Sequence, residues 1–131
     1  DYVYSLFCKH GSHCDVCLVE GAMGLFDGAS ADGIEGSAAE VAMVCRLPVI
    51  LIVDASSMAG SFAVLVKGFC EFRTGVKILG VIANRCGSER HVDILKKTLS
   101  ANSLPPLLGA IPKNSFPVLK SRPGLFMPCA V

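Results

Sequence analysis

Leu47-Pro48-Val49-Ile50-Leu51-Ile52-Val53-Asp54 is a continuous apolar run that a proline opens and a carboxylate closes. A strand with one wet face alternates apolar and polar residues. A short run without alternation, rich in β-branched side chains, reads instead as a strand of a parallel sheet buried on both faces. Three further stretches of this kind lie at residues 16–19, 77–82 and 107–111, each rich in Val, Ile or Leu. With residues 49–53 they predict four strands. The intervening segments have helical periodicity, so the expected class is α/β, a parallel sheet with flanking helices.

The helices carry their own signals. Ser37-Ala38-Ala39-Glu40 is a capping box, in which the Ser37 hydroxyl and Glu40 carboxylate each satisfy a free N–H at the start of a helix running to about Arg46. Pro48 then ends it. Residues 61–72 place Phe62, Leu65, Val66 and Phe69 on one face, and a helix from the N-cap Ser88 turns Val92, Leu95 and Leu99 inward. A shorter helix is expected over residues 2–9. After Ile111 the chain becomes proline-rich, with Pro112, Pro117, Pro123 and Pro128, and reads as loop or linker. The expected organisation is therefore one domain over residues 1–113 and a linker over 114–131.

Composition narrows the function classes. The 131 residues carry a net charge of +1 with Lys and Arg scattered, which argues against a nucleic-acid partner. No apolar run approaches the ~20 residues that span a bilayer, so no membrane partner is expected. Seven cysteines, mostly within apolar segments and without a paired framework, fit a reducing cytoplasm. The mean hydropathy of +0.56 is high for a domain this small and suggests doubly buried strands or a surface normally covered. The start, Asp1-Tyr2-Val3-Tyr4, lacks both an initiator Met and the layout of a signal peptide, so the chain is expected to begin within a longer protein.

In an open parallel sheet ligands bind beyond the carboxyl ends of the strands. The expected strand ends lead into Glu20-Gly21-Ala22-Met23-Gly24-Leu25-Phe26-Asp27-Gly28, Asp54, Asn84-Arg85 and Pro112-Lys113, so polar groups are expected to converge on one edge. A carboxylate such as Glu20 at a strand end suits Mg²⁺, which takes hard oxygen ligands from one or two carboxylates and from phosphates. The competing reading is that Glu20 and Asp54 cap helix termini or reach solvent. The glycines can likewise serve ordinary turns.

The run from Val19 to Gly28 resembles the Glu-Gly-Val-Met-Gly-Leu-Tyr/Phe-Asp-Gly signature of cobyrinic acid a,c-diamide synthases, a group that includes hydrogenobyrinate and nickel-sirohydrochlorin enzymes. Cobyric acid synthases and dethiobiotin synthetases continue differently after Glu-Gly-Ala. Further similar runs occur in order: Gly36-Ser37-Ala38-Ala39-Glu40, Leu47 through Ser56, Lys67-Gly68-Phe69, Gly80-Val81-Ile82-Ala83-Asn84-Arg85, His91, and Leu108-Gly109-Ala110-Ile111-Pro112-Lys113. The resemblance covers residues 15–113 and implies an incomplete P-loop NTPase domain, dethiobiotin-synthetase-like, with ATP and Mg²⁺ as cofactors. It implies Glu20 as the metal ligand, Asp27 as a catalytic carboxylate facing a corrinoid or related tetrapyrrole polycarboxylate, and Asn84 as reader of the nucleotide base, with Lys113 also on the nucleotide. The implied reaction forms acyl phosphates on the a and c side chains, which ammonia from glutamine then attacks. The ammonia would come from an amidotransferase domain outside this chain, and the resemblance is compatible with a homodimer.

The sequence also departs from that pattern. No G-x-x-x-x-G-K-[ST] loop is present, nor a Cys/His/Glu set for hydrolysing glutamine, so the segment alone is not expected to be a complete enzyme. Ala38 stands where the family's run has Thr, and Ser121-Arg122-Pro123-Gly124-Leu125 resembles an altered Arg-His-Leu-Gly-Leu run lacking its His. Two other readings compete: a regulatory ATPase of the ParA/MinD type, which the Met-Gly-Leu-Phe-Asp-Gly continuation argues against, and an inactive truncated domain. Cys8, His10, His13, Cys14 and Cys17 offer enough ligands for zinc. Strand alternation would turn Cys17 away from Cys14, so they are read as buried thiols and solvated imidazoles.

Overall fold

A computed structural model describes residues 2–115. The chain divides between Pro48 and Val49 into two compact units. The proline-rich region beyond residue 115, with the altered run at Ser121 to Leu125, lies outside the described residues.

The first unit contains helices α1 (Tyr2–Gly11) and α2 (Ala38–Val44), which touch each other, and a long connection without regular structure. No residue of α1 is buried. The N-terminus of α2 is built much as its sequence predicts. Ser37 Oγ accepts from the Glu40 amide at 3.2 Å and donates to the Ile34 carbonyl at 2.6 Å. The Glu40 carboxylate, however, accepts from the Gly36 amide at 2.7 Å rather than from the cap residue. The Ser37 amide is already committed to the Ile34 carbonyl, so the box closes one residue earlier. At the other end the Arg46 amide donates to Met43 and the Leu47 amide to Ala42, with Arg46 at φ 54°, a Schellman termination on a residue that is not glycine.

The expected strand at residues 16–19 is not formed. Val16, Leu18 and Val19 are 75%, 92% and 52% exposed, and no strand of the sheet pairs with them. A strand is stable only when a neighbour takes up its backbone N–H and C=O groups, and apolar composition does not supply one. The sheet among the described residues has three strands rather than four.

The second unit alternates β1 (Val49–Asp54), α3 (Gly60–Glu71), β2 (Ile78–Cys86), α4 (Glu89–Ala101) and β3 (Leu107–Pro112). The strands are parallel, in the order β1-β2-β3, with Leu51 opposite Val81 and Val53 opposite Ala83. Right-handed crossovers between sequentially ordered strands put successive helices on one face. Accordingly, α3 packs on α4, and α4 on β2 and β3. Phe62 and Val66 of α3, Leu95 and Leu99 of α4, and Leu51, Val53, Val81 and Ala83 of the sheet are buried.

The strands nonetheless alternate more than their sequence suggests: Ile50 and Ile52 are exposed while Leu51 and Val53 are buried. A run without polar residues predicts burial on both faces, yet within this unit one face of β1 remains open. Gly80 is required by close approach, since a Cβ there would overlap the side chain of Leu108 on β3.

Candidate nucleotide and substrate residues

In the second unit the polar ends of all three strands gather. Asp54, the last residue of β1, accepts from the Ser56 amide on Oδ1 at 2.9 Å and pairs through Oδ2 with Arg85 Nη1 at 2.9 Å. Its carboxylate is thus engaged in an Asx turn and an ion pair; it does not cap α3, whose N-cap Ala59 has no side-chain cap bond. Asn84 lies opposite Asp54 on β2, and its Oδ1 accepts from the Arg85 amide at 2.9 Å. Arg85 has φ 59°, a left-handed conformation stabilised by that contact. The Lys113 amide donates to the Cys86 carbonyl at 2.8 Å, so β3 delivers Lys113 beside the end of β2.

His91 joins the same edge. Its Nδ1 accepts from the Gly87 amide at 3.1 Å, and its Nε2 lies 2.6 Å from the Met58 carbonyl. Because Nδ1 accepts, Nε2 must carry the proton and donate, which defines a neutral tautomer bridging the loop after β1 and the loop after β2. A depression of about 360 Å³ lies between these loops, lined by Ser56, Ser57, Met58, Ala59, Arg85, Gly87, His91 and Lys113. Lys113, the remaining donors of an Arg85 already paired with Asp54, and two hydroxyls on one concave surface suit an anionic ligand. Of the sequence candidates, Lys113 lines this depression, whereas Asn84 does not and instead accepts from the amide of Arg85, which does.

Arg85 and His91 stand in the quoted runs without an assigned role. Their partners Asp54 and Met58 lie 31 and 33 residues away in sequence, so the strand-end position marks Arg85 without its ion pair and no local signal marks the contact of His91.

Glu20 and Asp27 belong to the first unit. Glu20 is exposed in the irregular segment before Gly21, not at the end of a strand. Asp27 closes a turn whose amide donates to the Gly24 carbonyl at 3.0 Å, and its carboxylate folds over Gly24, where a Cβ would overlap it. Next, Ala29 donates to the Glu35 carbonyl at 2.7 Å, and the backbone there passes so near Gly28 that a side chain would collide with it. The Leu25 carbonyl accepts from the Ala39 amide at 2.9 Å. The signature is therefore an ordered loop fastened to the start of α2, in which Gly28 is needed for close backbone approach.

The family described as an AAA domain matches residues 7–116. The chain belongs to that family. Its parallel strands and flanking helices are accordingly those of a P-loop NTPase-type domain, as the sequence predicted. The chain is 48% identical over 121 residues to a cobyrinate a,c-diamide synthase of Syntrophotalea carbinolica, matching 92% of this chain and 26% of that protein. It is 42% identical to one from Listeria innocua over 90% of this chain and 26% of the relative. A hydrogenobyrinate a,c-diamide synthase of Streptomyces coelicolor is 43% identical over 82% of this chain and 22% of its own length. The resemblance carried by the Glu20–Gly28 signature is thus borne out across most of the AAA-domain chain, which spans about a quarter of the length of these relatives. No solved structure matches it. Among the described residues, no helix is long and apolar enough to cross a membrane.

Proposed function

We propose that this AAA-domain chain is the nucleotide- and substrate-binding part of an amidoligase of cobalamin biosynthesis, one that amidates the a and c side-chain carboxylates of cobyrinate or a related tetrapyrrole. In this reading ATP supplies phosphoryl groups that activate those carboxylates as acyl phosphates, and ammonia from glutamine displaces phosphate. The single observation that supports it best is the depression bearing Arg85, Lys113, His91, Ser56 and Ser57 after consecutive parallel strands. Similarity to enzymes named for this product supports the choice of reaction.

The residues fit Mg-ATP by chemical type. Lys113 and Arg85 offer positive charge to phosphate oxygens, and phosphoryl transfer gains chiefly from such positioning and charge neutralisation. Asn84 keeps its Nδ2 donors and an Oδ1 lone pair for a base edge, although the Arg85 amide already occupies part of its Oδ1. Glu20 supplies a hard oxygen donor suited to Mg²⁺. Asp27, held by its turn with Gly24, is assigned to orienting the substrate's polycarboxylate periphery.

The test is glutamine- and ATP-dependent amidation of cobyrinic, hydrogenobyrinic and nickel-sirohydrochlorin acids by the full-length protein. Product on one of them is expected, and none on any would overturn the proposal. Within that assay Glu20→Gln should lower turnover at least ~100-fold, the scale of losing a group that stabilises transition-state charge. Near-normal turnover would remove Glu20 from the metal role.

A further inference from the structure

Three of the chain's cysteines, Cys8, Cys14 and Cys17, are exposed, whereas Cys45 and Cys86 are buried. The exposed group includes a Cys14-Asp15-Val16-Cys17 spacing, immediately after α1. Strand alternation at residues 16–19 would have separated the two sulfurs, but that strand is not formed. Instead, the Cys14 amide donates to the Gly11 carbonyl at 3.1 Å, turning the chain back at the helix end. Cys14 Sγ then lies 3.5 Å from the His10 carbonyl, and Cys17 Sγ 3.0 Å from where a Cβ on Gly11 would stand. Both sulfurs therefore flank the same His10–Gly11 peptide. Gly11 is the residue type that leaves room for this approach.

We propose that Cys14 and Cys17 form a redox modification site that closes to an intramolecular disulfide by exchange with a low-molecular-weight disulfide. A disulfide needs Cα atoms within about 7 Å, whereas residues three apart in extended chain are separated by roughly 10 Å. The bend at Asp15 and the shared position of both sulfurs beside the His10–Gly11 peptide supply the folded-back arrangement. Desolvation and the adjoining Cys14 push the Cys17 thiol up from its ordinary value, although the residue remains exposed. That makes Cys17 the poorer first nucleophile and assigns the initial attack to Cys14.

The exchange balances without any further reactant. Cys14 loses its proton and attacks one sulfur of the small disulfide, whose S–S bond breaks to release one thiol. Cys17 then loses its proton and attacks Cys14 Sγ in the mixed disulfide, releasing the second thiol. Two protein thiols are oxidised and one small disulfide is reduced.

The complete chain, equilibrated in reduced and oxidised glutathione, is denatured in acid, alkylated and mapped by mass spectrometry. The expected result is a peptide carrying residues 10–46 in which Cys45 is alkylated and Cys14 and Cys17 are not, two hydrogens lighter than the same singly alkylated peptide with both thiols free. Cys17→Ser should accumulate a glutathione adduct on Cys14, and Cys8→Ser should change nothing. A disulfide that includes Cys8, persistent glutathione adducts on the wild-type chain, or full alkylation of Cys14 and Cys17 under oxidising glutathione would each overturn the proposal.

Discussion

The two units organise their residues by different means. In the second, large side chains are sequestered: Phe62, Leu95, Leu99, Val53, Val66 and Val81 are fully buried, and helices and strands are placed by that core. In the first, the buried residues are Ser37, Ala39, Ala42 and Cys45, all small, and α1 buries nothing. What orders it is a chain of backbone and capping hydrogen bonds running from Gly24 through Asp27, Ala29, Glu35 and Ser37 to α2. Hydrogen bonds each contribute about 1 kcal/mol net, whereas burying a large apolar side chain contributes roughly 1.5–3 kcal/mol. The signature loop therefore holds its shape through directional contacts, and the sheet through packing.

Truncation should separate the two regimes most strongly. Phe62→Ala removes the largest fully buried side chain and should cost about 3–5 kcal/mol, read as a shift of the urea midpoint. Leu6→Ala on α1, where no residue is buried, should stay within about 0.5 kcal/mol. Similar losses at both positions would mean that α1 shares a core with the rest, and the contrast would fail.

A loss of intermediate size is expected at the cap that anchors the signature. Ser37→Ala removes an acceptor for the Glu40 amide and a donor to the Ile34 carbonyl, both made by a buried residue. It should cost about 1–2 kcal/mol of local stability, read as faster hydrogen exchange at Glu40 and Ala39. The amides of β2 should exchange at unchanged rates. If they also accelerate, the loop and the sheet belong to one cooperative unit.

The same contrast explains what is legible in the sequence. The second unit reads closely, because strand composition, the apolar face of α3 and the Ser88 cap are local signals that the core reinforces. The span predicted at 77–82 forms as Ile78–Cys86, and 107–111 as Leu107–Pro112. Residues 16–19 carry the same apolar signal without a pairing partner, and that partner is not encoded in the segment itself. At the site, the ends of the expected strands point to Asn84, Arg85 and Lys113, of which Arg85 and Lys113 line one depression and Asn84 does not. His91 and Arg85 acquire their roles only from tertiary contacts with Met58 and Asp54. Glu20 is marked in the sequence by an expected strand end that is not formed and by the signature, and Asp27 by the signature alone.

The smallest effect should come from two matched helix ends. Helix α4 stops as α2 does: the Ser103 amide donates to Ser100 and the Leu104 amide to Leu99, with Ser103 at φ 53° where α2 has Arg46 at φ 54°. A left-handed conformation costs a side-chain-bearing residue about 1–2 kcal/mol, and glycine's greater freedom in the unfolded chain returns about 0.5–1 kcal/mol of that advantage. Ser103→Gly should therefore raise stability by about 0.5 kcal/mol, visible in the urea midpoint because α4 contributes Leu95 and Leu99 to the core. Arg46→Gly relieves the same backbone conformation within a unit whose buried side chains are all small. It should slow hydrogen exchange at the Arg46 and Leu47 amides while leaving the midpoint within error. Equal midpoint shifts from the two substitutions would show that the capped loop unfolds with the packed sheet and that hydrogen bonding alone does not order the first unit.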